Sequence, residues 1–297
     1  MFEEAQLYSP VTRHDGGATV HLSSNHPGVD DEEYRARRNH IASAALDYRT
    51  GEPIPRVAYT DAEQEVWRIV SAELAAKHRR YACAEYLGAA QRLDLPRDRI
   101  PQLDEVSAHL VPLTGFRYVP AAGLVPLREF FGSFAEGVFH STQYIRHHSL
   151  PLYTPEPDAI HEIIGHANQI ASPRFAAVYR AVGEAVARLE TDAAVKFLAD
   201  VFWFTMEFGV LREGGEVRAY GTGLLSSYGE IDEFRTADLR PLDITAMGTM
   251  TYDITHYQPV LFCAESLSHF EDVVGTFVAT MTDDTPARLI SSVRRPA

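Results

Sequence analysis

Apolar residues recur three and four apart through most of this chain, and that period predicts a mainly α protein. A helix is expected near Asp31–Tyr48, followed by a turn in RTGEPIPR, residues 49–56. Thr60-Asp61-Ala62-Glu63 has the capping-box spacing, in which the Thr60 hydroxyl and the Glu63 carboxylate each satisfy a free backbone N–H. Val66, Ile69, Val70, Leu74 and Tyr81 then supply the apolar stripe of the next helix. Pro96 and Pro101 mark a loop. From Pro112 to Pro126 the period dissolves into Gly, Pro and aromatic residues among short apolar pairs, so short strands and loops are expected. Helices are expected from about Leu127 into Phe139, after the proline-rich YTPEPD, from Ser172-Pro173, and as one or two long ones over Ala185–Leu211. Gly214-Gly215 ends the last of these. RAYGTGLLSSYGE reads as a short strand, a glycine loop and a turn. Residues 1–28 lack sustained period and read as a loose arm, and 29–297 as one helical catalytic domain.

Composition alters this picture little. The 297 residues suffice for one large domain, and no repeat or low-complexity segment divides them. Lys and Arg number 27 against 41 Asp and Glu, a net charge of -14. That balance argues against nucleic acid or an anionic membrane surface as a partner. The longest apolar stretch, residues 195–211, is broken by Lys196, Asp200 and Glu207 and cannot span a bilayer. The N-terminal segment lacks the basic and apolar regions of a secretory signal. Cys83 and Cys263 sit in apolar contexts and read as free thiols of a reducing compartment, so a cytoplasmic protein is expected.

The chemistry concentrates in PEPDAIHEIIGHA, Pro155–Ala167, and FWFTMEFGV, Phe202–Val210. His161, His166 and Glu207 offer two imidazoles and one carboxylate. That is the ligand set of a facial non-haem iron site, which leaves coordination positions open to O2 and a co-substrate. The two histidines are five apart, roughly 140° of rotation on an α-helix, so they do not share a face cleanly. Gly165 either relaxes the helix or lets it end there. The bland alternative makes one histidine a hydrogen-bonded core residue and the other solvated, with Glu207 paired to an arginine. Against it, Glu207 lies in a segment that otherwise belongs in a core, where an unpaired carboxylate is costly. Trp203, four residues earlier on the same helical face, reads either as core or as the wall of an aromatic pocket. A zinc hydrolase is the rival from another class. Its H-E-x-x-H motif sets the histidines four apart, whereas this chain reads H-E-x-x-x-H.

Together with HPGVDDEEYRARR, YRTGEPIPRV, IPQLDEVS, TGFRYVPAAGL, VFHSTQYIRH, YGTGLLSSYGE and QPVLFCAES, these segments resemble the pterin-dependent aromatic amino acid hydroxylases. The likeness runs from about His26 to about Thr280. It implies the single helical catalytic domain of that family with a few short strands. It also implies Fe(II) on His161, His166 and Glu207, a tetrahydropterin co-substrate, and O2. Arg146 matches the arginine that grips the substrate carboxylate, a bidentate task suited to a guanidinium, and Asp158 the acid that supports it. Thr154, Gly223 and Ser226 match substrate-contacting loop positions, and Pro157 and Trp203 the walls of the ring pocket. Phe130 matches the aromatic stacked on the pterin, and Glu162 the acid near pterin and iron. Gly123, Val125 and Ala199 match positions that meet the pterin mainly through backbone. Intact His161, His166, Glu207 and Arg146 speak against a catalytically dead binding homologue.

The chain also departs from the family pattern. Phe202 stands where a tyrosine is usual near the iron, and Leu127 replaces a polar neighbour of the pterin. The regulatory domain and the oligomerisation helix of the family have no counterpart in the sequence, so a stand-alone core, monomeric or weakly dimeric, is expected. Trp203 resembles the phenylalanine and tyrosine enzymes, and His140 the phenylalanine and tryptophan enzymes. Ile254 sits where the three differ, but one methylene discriminates by only about 1–3 kcal/mol. Trp203 weighs most by volume. The expectation is therefore hydroxylation of free L-phenylalanine at carbon 4, ahead of 3-hydroxylation to meta-tyrosine and tryptophan 5-hydroxylation.

Overall fold

The computed structural model describes residues 9–254 and 256–293. Helices carry most of the chain, and several open where a polar side chain accepts a free N–H. Asp31 accepts from the Tyr34 N–H to start Glu32–Asp47. Thr60 and Glu63 form the reciprocal capping box at the head of Asp61–Tyr81, as their spacing predicts. Val66, Val70 and Leu74 are buried along that helix, with Trp67 beside them. Ser172 caps Pro173–Arg188, and Thr191 caps Asp192–Phe202. Among the described residues, no helix is long and apolar enough to cross a membrane.

The structure differs from the sequence expectations where a short element hides inside a longer pattern. Residues 1–28 read as a loose arm, but β1 (Val11–His14) and β2 (Gly17–Val20) form an antiparallel hairpin. Its Ala18 and Val20 pack on Ala42, a contact too sparse to show as a period. Just before it, the Ser9 N–H donates to Glu156 (2.6 Å), which Arg38 holds at 2.7 Å. Residues 1–8 lie outside the described residues. Pro112 opens no loop; it lies near the C-terminal end of helix Leu103–Thr114, where a missing N–H removes only one bond of the ladder. The helix expected from Leu127 into Phe139 stops at Gly132 and passes through a 3-10 turn, Ser133–Glu136. Phe139 lies in β4 (Val138–Ser141), which runs parallel to β3 (Arg117–Pro120).

The Ala185–Leu211 stretch is two helices broken between Arg188 and Asp192, and its end is strand β5 (Val210–Glu213). Gly214-Gly215 does not end a helix. It turns the chain from β5 into β6 (Glu216–Ala219) with φ of 59° and 83°, values suited to a two-residue hairpin turn. With β7 (Asp238–Pro241) and β8 (Val260–Ala264) these make a four-stranded sheet of order β6-β5-β8-β7, in which β8 runs parallel to both neighbours. Both cysteines are buried free thiols.

Candidate metal centre and substrate site

Ile160–Ala167 winds as a π-helix, whose hydrogen bonds run between residues five apart. Residues at that separation therefore stack above one another. His161 and His166, splayed on an α-helix, turn to the same side, and their Nε2 atoms lie 3.0 Å apart. A second π turn, Trp203–Glu207, brings up Glu207. Its carboxylate oxygens lie 3.2 Å from His166 Nε2 and 3.6 Å from His161 Nε2. Gly165 does not end the helix. A Cβ there would stand 3.1 Å from the Thr222 carbonyl oxygen, so the glycine seats the π turn against helix Thr222–Ser226.

The surrounding hydrogen bonds fix which imidazole nitrogens face the centre. The Gln169 amide donates to the carbonyls of Met206 (3.2 Å) and Tyr220 (2.7 Å). Its Oε1 therefore accepts the Tyr179 hydroxyl proton at 2.6 Å. The Tyr179 oxygen must then accept from His166 Nδ1–H at 2.8 Å. For His161, Nδ1 donates to Ser226 Oγ at 2.8 Å, and the Ser226 hydroxyl points to the Gly223 carbonyl. Thr222 donates to Glu207 at 2.6 Å. Two Nε2 atoms and a carboxylate thus converge on one point, an arrangement suited to a shared cation. Metal–nitrogen bonds of about 2.1 Å at right angles separate neighbouring donors by about 3.0 Å, so the donor set fits a facially bound metal.

Charge follows the same logic. Burial, then repulsion from His166, lowers His161 to about 4. Burial pushes His166 down too, but Glu207 beside it wins and raises it. Burial works to raise Glu207, yet His166 and His161 hold it at about 2. A second carboxylate is close: ligand atoms of His161, Glu162 and His166 all lie within 4.8 Å of one another. Glu207 spans both Nε2 atoms, so it is the better placed of the two acids as a third donor. Glu162 is the neighbouring acid, buried and accepting from the Thr142 hydroxyl at 3.3 Å.

On the substrate side, Arg146 and Asp158 are both buried and pair in a fork. Nε and Nη2 each lie 2.9 Å from a carboxylate oxygen, and the Arg146 N–H donates to the same acid at 2.8 Å. Asp158 also accepts from the Ile160 N–H at 3.2 Å, so it joins the arginine to the metal-bearing turn. Thr154 closes its loop by donating to the Glu156 carbonyl at 2.7 Å, and the Pro157 carbonyl accepts from Tyr144. Trp203 stacks on Tyr252 with ring centroids 4.7 Å apart and meets Phe208 at 4.6 Å. Gly223 packs so closely on Phe208 that a Cβ would fall 2.6 Å from its ring. Ile254, two residues beyond Tyr252, is half-buried.

Gly123 and Val125 line a separate mouth, a cavity of about 630 Å³. His140, expected in the substrate pocket, lines this same cavity, because β4 carries it towards the side reached by Gly123 and Val125. Phe130 meets Phe139 at 5.5 Å, and Phe139 in turn meets the His166 ring at 4.7 Å. Ala199 is half-buried on helix Asp192–Phe202. The sequence reading missed Tyr179, Gln169 and Thr222. Gln169 alone left a signal, as a polar residue inside the apolar run around ANQIA.

Two imidazoles and a carboxylate on two π turns, beside a buried arginine and an aromatic wall, define a mononuclear facial-triad metalloenzyme. Residues 12–288 match the profile of the biopterin-dependent aromatic amino acid hydroxylases. The chain belongs to that family, with iron, a tetrahydropterin and O2 as its cofactor and co-substrates. It is 50% identical to a phenylalanine 3-hydroxylase of Streptomyces coeruleorubidus over 92% of this chain and 98% of that protein. It is 43% identical to the phenylalanine-4-hydroxylase of Rattus norvegicus over 88% of this chain, spanning 58% of the rat enzyme. A phenylalanine hydroxylase of Chromobacterium violaceum, solved with bound iron(III) and 7,8-dihydrobiopterin, superposes with a TM-score of 0.71 at 26% identity, covering 80% of this chain and 85% of that one.

Proposed function

We propose that this chain hydroxylates the aromatic ring of free L-phenylalanine. The observation that carries the reading is the buried Arg146–Asp158 fork, whose acid also caps the metal-bearing turn. Asp158 occupies Nε and Nη2 and leaves Nη1 for a substrate carboxylate. An amino acid held there is fixed relative to the metal ligands, because one carboxylate anchors both. Trp203, stiffened by Tyr252 and Phe208, supplies a flat wall for a ring, and Pro157 and Ile254 are proposed to complete it. Iron held by His161, His166 and Glu207, with a tetrahydropterin beside it, would supply the activation of O2. The chain's own residues orient the ring, hold the carboxylate and exclude water. Glu162, tied to Thr142, is proposed to sit at the pterin edge of the centre with Phe130, Gly123, Val125 and Ala199.

Two ring carbons compete. Hydroxylation at carbon 4 is the activity named for the mammalian relatives. Carbon 3 has the stronger support, because the 3-hydroxylase matches over nearly its whole length and at higher identity. Iron-loaded protein supplied with tetrahydropterin, O2 and L-phenylalanine decides it by chromatography against para- and meta-tyrosine. Meta-tyrosine supports the 3-hydroxylase reading, para-tyrosine the 4-hydroxylase reading, and hydroxylation of tryptophan in preference sinks both. We propose a cytoplasmic monomer or weak dimer, which light scattering of the purified protein checks.

A further inference from the structure

Behind the metal-bearing turn lies a second cavity, of about 340 Å³. Ile163 and Ile164 of the π turn form part of its wall, and Trp67 and Leu87 add apolar surface. Its polar lining is unusual for so acidic a chain. Arg79 and Arg97 both border it, and among the described residues neither has a carboxylate within ion-pair distance, although the chain carries 41 Asp and Glu. The Ser71 hydroxyl borders it too, buried at 6% exposure and without a hydrogen-bond partner. A buried hydroxyl left unpaired costs about 1–3 kcal/mol, so such groups ordinarily find partners. Asp94, at the rim, is held at φ of 47°, where it is the one non-glycine residue with positive φ among those described. The neighbouring His78 adds no charge: burial, with Arg97 contributing, lowers it to about 4, and its Nε2 lies 2.6 Å from the Leu225 carbonyl.

We propose that this cavity is a binding site for a small carboxylate carried on an apolar body, distinct from the Arg146 site. The two unpaired guanidiniums suit the carboxylate, Ser71 supplies a further hydrogen bond, and Trp67, Leu87 and the isoleucines cover the apolar part. The volume is at the lower end of small-molecule pockets, which suits a compact ligand. Two sources share this chemistry: a plain aryl or alkyl carboxylate, and a free amino acid whose ammonium would meet Asp94.

Trp67 lines the cavity and Trp203 is the other tryptophan in the chain, so a Trp203→Phe background makes Trp67 the sole indole reporter. In that background 3-phenylpropionate is expected to change Trp67 emission saturably, with Kd in the millimolar range or tighter. Arg79→Gln with Arg97→Gln should weaken the response at least tenfold, and both residues are exposed, so folding is retained. Arg146→Lys should leave it unchanged. L-phenylalanine binding tighter than 3-phenylpropionate, with the advantage lost in Asp94→Asn, identifies an amino acid site; equal binding identifies a plain carboxylate site. An absent saturable response, a response indifferent to the arginine pair, or one lost in Arg146→Lys overturns the proposal.

Discussion

Tyr179→Phe removes one oxygen from the most buried relay of the metal centre. The tyrosine is fully buried, its ring packs against Phe134 and Phe202, and phenylalanine preserves those contacts. What disappears is the acceptor for His166 Nδ1–H and the donor to Gln169 Oε1. The orphaned Gln169 oxygen is the same with and without metal, so its cost of about 1–3 kcal/mol falls on folding stability and cancels from metal affinity. The His166 side does not cancel. The imidazole loses the partner that fixes its tautomer and raises its basicity, a change that typically weakens metal affinity 10–100-fold, or about 1.4–2.8 kcal/mol. Competition against a chelator of known iron affinity reads the second quantity, and thermal unfolding of the metal-free protein reads the first. Unchanged iron affinity in a variant that has lost stability would refute the relay and leave Tyr179 a packing residue.

Glu230 is buried, and burial raises it to about 7 despite the hydrogen bond it accepts from the Gln258 N–H. The folded state therefore keeps a proton that the unfolded state releases near 4.5, so stability contributed by this group is present below about 4.5 and lost as pH rises to about 7. The loss approaches 3 kcal/mol. Glu230→Gln should flatten that slope and raise Tm above pH 7, as a pH series of melting curves will show. Arg146→Lys keeps a charge beside Asp158 but loses the fork, so KM for the amino acid should rise at least tenfold with a smaller fall in kcat, measured in steady state. Gly165→Ala places a Cβ 3.1 Å from the Thr222 oxygen. It should cost about 1–3 kcal/mol and lower iron affinity together with Tm; a Tm equal to that of the parent chain would show that the contact relaxes freely.

The candidate metal ligands were legible because His161, His166 and Glu207 are chemically conspicuous in an apolar setting. Their geometry was not. Helical period assumes 3.6 residues per turn, and both ligand-bearing segments break that assumption, so the histidines looked misaligned until the π winding placed them together. The capping box at Thr60 was readable because its signal is four adjacent residues. The hairpin at residues 11–20 carried a signal just as local, the Asp15-Gly16 pair between the paired His14 and Gly17, which attention to helical period passed over. Phe139 follows an apolar run that propensity alone would continue as helix, and only its pairing with Val138–Ser141's neighbour strand draws it into β structure. Tyr179 sits within an ordinary apolar stripe, and nothing in that stripe marks one hydroxyl as a partner of the metal site.

A π turn is an α-helix holding one residue too many, and this centre owes its shape to two such surpluses. The ligands are therefore specified by a count as much as by identity. Removing a single residue between His161 and His166 would leave every donor in the chain and restore a regular helix. The histidines would then stand four apart, about 40° of rotation on an α-helix, so the pair would still share a face and the change would fall on the seating of Gly165 against Thr222. Scanning by substitution is blind to this kind of information, because no one side chain carries it. The length between the ligands is therefore part of the site in the same sense as the ligands themselves.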